Sequence, residues 1–393
     1  HFMLVPSMTV AENVVLGIEC KRSILFDYKR AVKEVRELCE KYGFQIDPEA
    51  KVRDISIGVQ QKVEIVKALY RKAEVLILDE PTAVLTPQEI TELGVILQDL
   101  KKAGKTIIII THKLKEIMDF SDRITVLRLG KKIGTVETKD TTAEDITVMM
   151  VGRHVDLAGH KEESQYDDVM LEVRDLSYRI NGKKQLDQVS FSLRKGEILG
   201  VAGFDGSGQN ELTEVLGGYR KADSGKVFYK GEEITQYKTR ERRKDGIGII
   251  PQGRHELGLV LDMSVEENLL LGDPHIDRFT KNKIFLNVGE IANNAEEKIK
   301  KYAIKTADRM VSVRTLSGGH QQKLICARET GPDVELIIAN QPTRGIDVGA
   351  TEMIRRSLIR MARQKNVGTL LVSADLNEVL EVSDRLLVMR KGK

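Results

Sequence analysis

The stretch GFDGSGQNEL, residues 203–212, follows the apolar run EILGVAG and leads into a segment with helical spacing. Its glycines have the G-x-x-x-x-G framework of a phosphate-binding loop, in which Gly203, Gly206, Ser207 and Gly208 would bring backbone N–H groups to a phosphate. Strand, glycine loop and helix in that order begin an α/β unit with its ligand at the carboxyl end of the strand. Where such loops carry Lys and then Ser or Thr, this one has Gln209 and Asn210. The cradle is present without its cation.

Self-comparison extends the reading to the rest of the chain. ISIGVQQKVEIVKALYRKAEVLILDEPTAVLTP, from Ile55, aligns with LSGGHQQKLICARETGPDVELIIANQPTRGIDV, from Leu316, so that Ser56 matches Ser317 and Pro81 matches Pro342. Further on, IIIITHKLKEIMDFSDRITVLRLGK aligns with TLLVSADLNEVLEVSDRLLVMRKGK, and upstream MTVAENVVLG (Met8 to Gly17) echoes MSVEENLLLG (Met263 to Gly272). The repeat predicts two homologous domains, 1–153 and 171–393, joined by a polar, aperiodic linker at 154–170. Each copy mixes short β-rich apolar runs (75–78, 106–110, 198–201, 336–339, 369–372) with amphipathic stretches such as 88–102, which predicts α/β with a mainly parallel sheet. Segments 10–42 and 284–303 read as inserted helical regions. The second copy is the more complete. The first has no counterpart of the 203–212 loop, and the chain opens with HFMLVP, without an initiator Met or a signal pattern. The expectation is that the first domain's loop lies upstream of His1.

Composition narrows the function classes. Lys plus Arg number 62 against 59 acidic residues, and a net charge of +3 argues against wholesale nucleic-acid binding. The basic run KTRERRKD (238–245) reads as a solvated helix face in preference to a polyanion site. Cys20, Cys39 and Cys326 lie far apart, which indicates neither a disulfide framework nor a zinc site and fits a reducing, cytosolic setting. No apolar run approaches the roughly 20 residues of a membrane-spanning helix.

Three further motifs bear chemistry. VLILDEPT (75–82) is an apolar run ending in two acids, and a buried strand there would deliver Asp79 and Glu80 to the ligand end of the sheet. Asp79 would hold Mg²⁺ through its water shell, and Glu80 would orient or deprotonate an attacking water. An acidic turn after a strand is the plain alternative. His112, in IIIITHK, follows the next strand of the repeat, where it would meet a γ-phosphate and the attacking water. LSGGHQQK (316–323) opens a helical run, so Ser317, Gly318 and Gly319 would expose N–H groups at the positive end of a helix dipole, a place that suits an anion or holds an ordinary Ser-Gly cap.

Together these motifs resemble the nucleotide-binding domains of ABC transporter ATPases, over nearly the whole chain. The resemblance makes LILDE the Walker B acids, LSGG the signature, His112 the switch histidine and Gln252, in IIPQGRH, the Q-loop glutamine. It implies ATP and Mg²⁺ as cofactors, separate transmembrane permease subunits, an extracytoplasmic solute-binding protein, and a peripheral position on the cytoplasmic face of the membrane. No nucleic-acid partner is implied. The tandem arrangement, QQK after each signature and GLVLDMSVEENL look like importers of sugars or nucleosides, with the nucleoside branch favoured.

The copies differ where chemistry is expected. Glu80 becomes Gln341, Asp79 becomes Asn340 and His112 becomes Ala374. A loop Lys about 4 Å from a phosphate oxygen would contribute on the order of 4 kcal/mol at a dielectric near 20, and a Gln amide roughly 1.5 to 3 kcal/mol. Nucleotide binding is expected to survive this exchange, and hydrolysis is not. The first signature, ISIGV, keeps Ser56 and Gly58 but has Ile57 where a glycine would admit phosphate. The resemblance further implies head-to-tail pairing of the domains, each nucleotide lying between one phosphate loop and the other signature. All the defects then fall on one composite site, leaving one catalytic and one degenerate site. A soluble tandem ATPase acting on ribosomes is the rival reading, distinguished by two intact sites and a longer charged linker. A binding-only fragment without turnover is another, because its catalytic half lacks a loop Lys.

Overall fold

A computed structural model describes residues 3–22, 25–82, 85, 87–128, 130–153, 166, 168–203, 206–274, 277–281 and 284–393. It divides into two compact units, His1–His154 and Val155–Lys393. Most of the expected linker therefore lies outside the described residues.

Unit 1 runs α1 (Val10–Val15), a hairpin of β1 (Lys21–Arg22) and β2 (Leu25–Phe26), α2 (Tyr28–Lys41), α3 (Ile57–Tyr70), β3 (Val75–Asp79), α4 (Pro87–Lys102), β4 (Thr106–Ile110), α5 (Leu114–Phe120), β5 (Arg123–Arg128), β6 (Lys131–Glu137) and α6 (Ala143–Val151). The start of α1 is written in MTVAEN. Thr9 and Glu12 form a reciprocal capping box, and Asn13, fully buried, accepts from the Val5 amide at 2.7 Å. Strands β3 and β4 pair in parallel, and β5 with β6 antiparallel.

Unit 2 continues with β7 (Val169–Ile180), β8 (Lys183–Arg194), β9 (Ile198–Ala202), α7 (Gln209–Leu216), β10 (Ser224–Tyr229), β11 (Glu232–Glu233), α8 (Thr239–Lys244), β12 (Ile247–Ile250), α9 (Val265–Leu270), β13 (Thr280–Lys281), β14 (Phe285–Leu286), α10 (Val288–Lys301), α11 (Gly318–Glu329), β15 (Leu336–Asn340), α12 (Val348–Lys365), β16 (Gly368–Val372), α13 (Leu376–Val382) and β17 (Arg385–Val388). Here MSVEEN repeats the same device: Ser264 and Glu267 cap α9, and buried Asn268 accepts from the Val260 amide at 2.9 Å. The central sheet is wholly parallel, in the order β12-β15-β16-β9-β17. Its strands β9, β15 and β16 are buried throughout, with only Thr369 and Asn340 polar, because both of their faces are covered. One face meets the helical side, including Ile325, Leu358 and Ala295. The other meets α7 and a second sheet, antiparallel, in the order β11-β10-β7-β8.

That antiparallel layer was not expected from the sequence, and β7 opens at Val169, two residues before the anticipated domain start. The inserted region at 284–303 also begins as strand, with helix only from Val288. The two copies share strand sequences but not surroundings. Val75, Ile77, Ile108 and Ile110 are about half exposed or more, whereas their counterparts Leu336, Ile338, Leu370 and Val372 are buried against the layer containing α7. Among its described residues unit 1 has no such layer.

The basic run at 238–245 is a helix with Lys238, Arg240, Glu241, Lys244 and Asp245 exposed, as a solvated face requires, but two of its arginines turn inward. Arg242 is buried in unit 2, donating to the carbonyls of Tyr237 (3.0 Å), Leu216 (2.5 Å) and Ile234 (3.0 Å), and Arg243 meets Glu329 (2.5 Å) and Asp273 (3.3 Å). A guanidinium satisfies several converging carbonyls from one planar group, which makes its burial tolerable.

Candidate functional site

In unit 2 the phosphate loop joins β9 to α7. Gly206 (φ +79°) and Gly208 (φ +102°) lie in the left-handed region, and a Cβ on Gly208 would stand 2.5 Å from the Gln185 carbonyl. Only glycine fits there. Phe204 and Asp205 lie outside the described residues. Ser207 and Gln209 are buried, and a Cβ on Gly203 would stand 2.5 Å from Gln209 Nε2, so the bare glycine admits the Gln amide against the loop. Asn210 follows in the first turn of α7. Together with Gln252, Thr213 and Asn340 it lines a cleft of about 200 Å³.

The acid-bearing turn has the same geometry in both units. Glu80 (φ +45°) and Gln341 (φ +53°) are non-glycine residues in left-handed backbone. Their amides donate to the next strand, at Ile110 O (2.8 Å) and Val372 O (2.7 Å). Asp79 ends β3 exposed, and Asn340 ends β15 buried.

What surrounds the turn separates the copies. In unit 1, Glu80 Oε1 lies 2.7 Å from His112 Nδ1, while Oε2 has no hydrogen-bond partner among the described residues. Burial, the largest influence, pushes the Glu80 carboxyl up, but the His112 hydrogen bond and charge, aided by Lys113, outweigh it and hold the group below its ordinary range. Glu80 is thus a carboxylate at neutral pH with one oxygen oriented by His112 and the other buried without a partner among the described residues, an arrangement that suits a general base. Unit 2 offers Gln341 and the exposed Ala374 instead.

The signature segments both open helices, but with opposite charges over them. Gly318 and Gly319 start α11. A Cβ on Gly318 would stand 2.6 Å from Arg254 Nη1, and one on Gly319 would stand 3.2 Å from Asp347 Oδ2. Ser317 makes no capping bond with its side chain. In unit 1 Ser56 does cap α3, accepting from the Val59 amide at 3.3 Å, and the carboxylate of Glu89 fills the space beside Gly58. The Ile57 side chain lies outside what is described. Sequence reasoning missed both Arg254, two residues past the Q-loop glutamine, and Glu89, because neither was assigned a role and both reach the signatures by tertiary packing.

Asp79 is a hard oxygen donor of the kind Mg²⁺ takes. The corresponding position in unit 2 holds amides only, Asn340 with Asn210, and does not fit a divalent cation.

A glycine loop between strand and helix, a strained acid-bearing turn and a glycine-opened signature helix define a nucleotide-binding P-loop ATPase, here in tandem. The ABC transporter family profile matches residues 1–83 and 186–344, and the chain belongs to that family. Its relatives include the nucleoside import ATP-binding protein NupA of Lactococcus lactis subsp. cremoris, 46% identical over 394 residues, which span 100% of this chain and 78% of the relative. The guanosine import ATP-binding protein NupO of Bacillus subtilis is 45% identical over 100% of this chain and 77% of its own length. The glucose import ATP-binding protein TsgD13 of Haloferax volcanii is 38% identical, with the same coverage.

Proposed function

We propose that this chain is the ATP-binding and hydrolysing subunit of an importer for nucleosides or simple sugars, nucleosides favoured, with one catalytic and one degenerate nucleotide site. The Glu80–His112 contact at 2.7 Å, replaced by Gln341 and Ala374 in unit 2, carries the asymmetry. The import names of the relatives carry the transport reading, and they lend nothing to the ribosomal alternative. In unit 1 Glu80 takes the proton of the attacking water, and His112 orients Glu80 and meets the outer phosphate. Mg²⁺, when bound, supplies charge neutralisation at the phosphates, with Asp79 holding it through water. The intact signature at Ser317, Gly318 and Gly319, with Arg254 beside it, completes the catalytic site by head-to-tail pairing. The signature at Ser56 and Gly58, with Glu89 over it, faces the Gln209 loop. Separate permease subunits receive the motion, a solute-binding protein delivers the solute, and the chain sits at the cytoplasmic face of the membrane.

The test uses the full-length protein. Glu80→Gln should lower kcat for ATP hydrolysis by roughly 100-fold or more, while Gln341→Ala leaves most of it. Equal losses from the two changes refute the asymmetry.

A further inference from the structure

Asn340 stands where unit 1 has Asp79, and it is 3% exposed. Its Nδ2 donates to Asn210 Oδ1 at 3.0 Å and to Thr213 Oγ1 at 2.9 Å. Thr213 gives its one hydroxyl proton to the Asn210 carbonyl at 2.9 Å, so its oxygen must accept from Asn340. This fixes the orientation of the Asn340 amide, with its N–H groups toward the phosphate-loop helix and Oδ1 on the other side, buried without a partner among the described residues. Asn210 in turn stands where a phosphate loop carries the hydroxyl that touches Mg²⁺. The metal position is therefore closed by an amide-to-amide hydrogen bond. It presents N–H protons where a cation needs oxygen lone pairs, and the next residue, Gln341, brings no charge. Mg²⁺ keeps most of its waters and relies on one or two carboxylates besides the phosphates; the amide cluster supplies none, and of the two carboxylates elsewhere on the cleft, Glu214 and Glu256, the first is paired with Arg220.

We propose that the phosphate loop of unit 2 binds nucleotide without a divalent cation. The inference rests on the reading above that this loop retains nucleotide. If protein and metal share no contact, the direct coupling between them is absent, and only the metal's effect on the nucleotide's own charge remains, so the affinities with and without the metal should lie close together.

Equilibrium dialysis of radiolabelled ATP with this chain, in excess Mg²⁺ and in EDTA, tests the idea. The dissociation constants should agree within fivefold. A weakening of fivefold or more in EDTA overturns the proposal and leaves nucleotide retention standing. No retention in either condition overturns both. The double variant Asn210→Ser/Asn340→Asp restores the hydroxyl and the carboxylate. Once its fold is checked by circular dichroism, it should bind ATP at least fivefold more tightly in Mg²⁺ than in EDTA. Metal-insensitive binding by a folded double variant shows that the amide pair is not the cause and overturns the assignment.

Discussion

Replacing His112 with Ala tests the catalytic pair. The substitution removes a 2.7 Å contact to the Glu80 carboxylate. A hydrogen bond to a charged group contributes about 1.5–3 kcal/mol, so kcat in the full-length protein should fall roughly 10- to 150-fold. The pH profile separates mechanism from simple damage. In the parent, desolvation pushes Glu80 up and is outweighed by the His112 hydrogen bond, the His112 charge and Lys113. Glu80 works ionised, so activity is lost as pH falls through its pKa. Without the His112 imidazole, desolvation is opposed only by Lys113 and by the backbone hydrogen bond of residue 112, so the Glu80 pKa rises and the acid limb of kcat moves to higher pH. The stability effect has the matching sign. A carboxyl held low in the folded state stabilises above its unfolded pKa, and that contribution is lost as pH falls through the folded value. The variant should therefore lose less stability on acidification than the parent does. Phosphate release measured across the acid range reads the limb directly. An acid limb that stays in place, or a fall in kcat below about threefold, refutes the proposed pairing.

Two further substitutions probe the scaffold. Arg242→Met strips three or more buried carbonyls of their donor. It should lower the stability of unit 2 by about 2–5 kcal/mol, read as a lower urea midpoint; an unchanged midpoint would refute a structural role for the buried guanidinium. Thr82 donates to Glu116 at 2.5 Å, and Thr343 to Glu378 at 2.7 Å, the same clasp in both units. Thr82→Val and Thr343→Val should each cost about 1–3 kcal/mol in their own unit by thermal unfolding, with the larger loss of ATPase activity expected from Thr82→Val, and equal activity losses would count against the division of labour.

The central strands were legible because a strand covered on both faces is mostly apolar, and VLILD, TIIII, ILGVA and LIIAN are short apolar runs that announce strands without tertiary information. Their different exposures were not, since Val75 and Leu336 differ in what covers them and not in their own patterning. The antiparallel hairpin β7–β8 did leave a signal. Asn181 (φ +50°) and Gly182 (φ +78°) form the Asn-Gly turn that joins its strands, but the surrounding residues alternate weakly and carry no motif. The burial of Arg242 was hidden for a simpler reason: a run of six charged residues hides the one that points inward, because helical spacing alone does not say which carbonyls wait for it. At the site, motif residues were readable and their chemical neighbours were not. Arg254 over Gly318, with Asp347 beside Gly319, gives one signature a cation that the other lacks, where Glu89 fills the space beside Gly58, and each reaches its place from a distant segment.

The acid-bearing turn shows what the second copy has kept. A non-glycine residue in left-handed backbone costs roughly 1 kcal/mol, and both Glu80 and Gln341 carry that strain. Unit 1 uses it to aim a carboxylate. Unit 2 has lost the carboxylate, the histidine and the metal position, yet retains the turn, the bond from its amide to the next strand, and the Thr–Glu clasp two residues on. Even the cation serving the clasp has been exchanged: Lys113 lies 3.1 Å from Glu116, whereas Arg355 lies 3.3 Å from Glu378. On the proposed division of labour, different residues holding one geometry at a position without the acid give the turn a second task, independent of hydrolysis. It fixes the segment between the acid strand and the following helix, which any domain that responds to nucleotide needs whether or not it cleaves it.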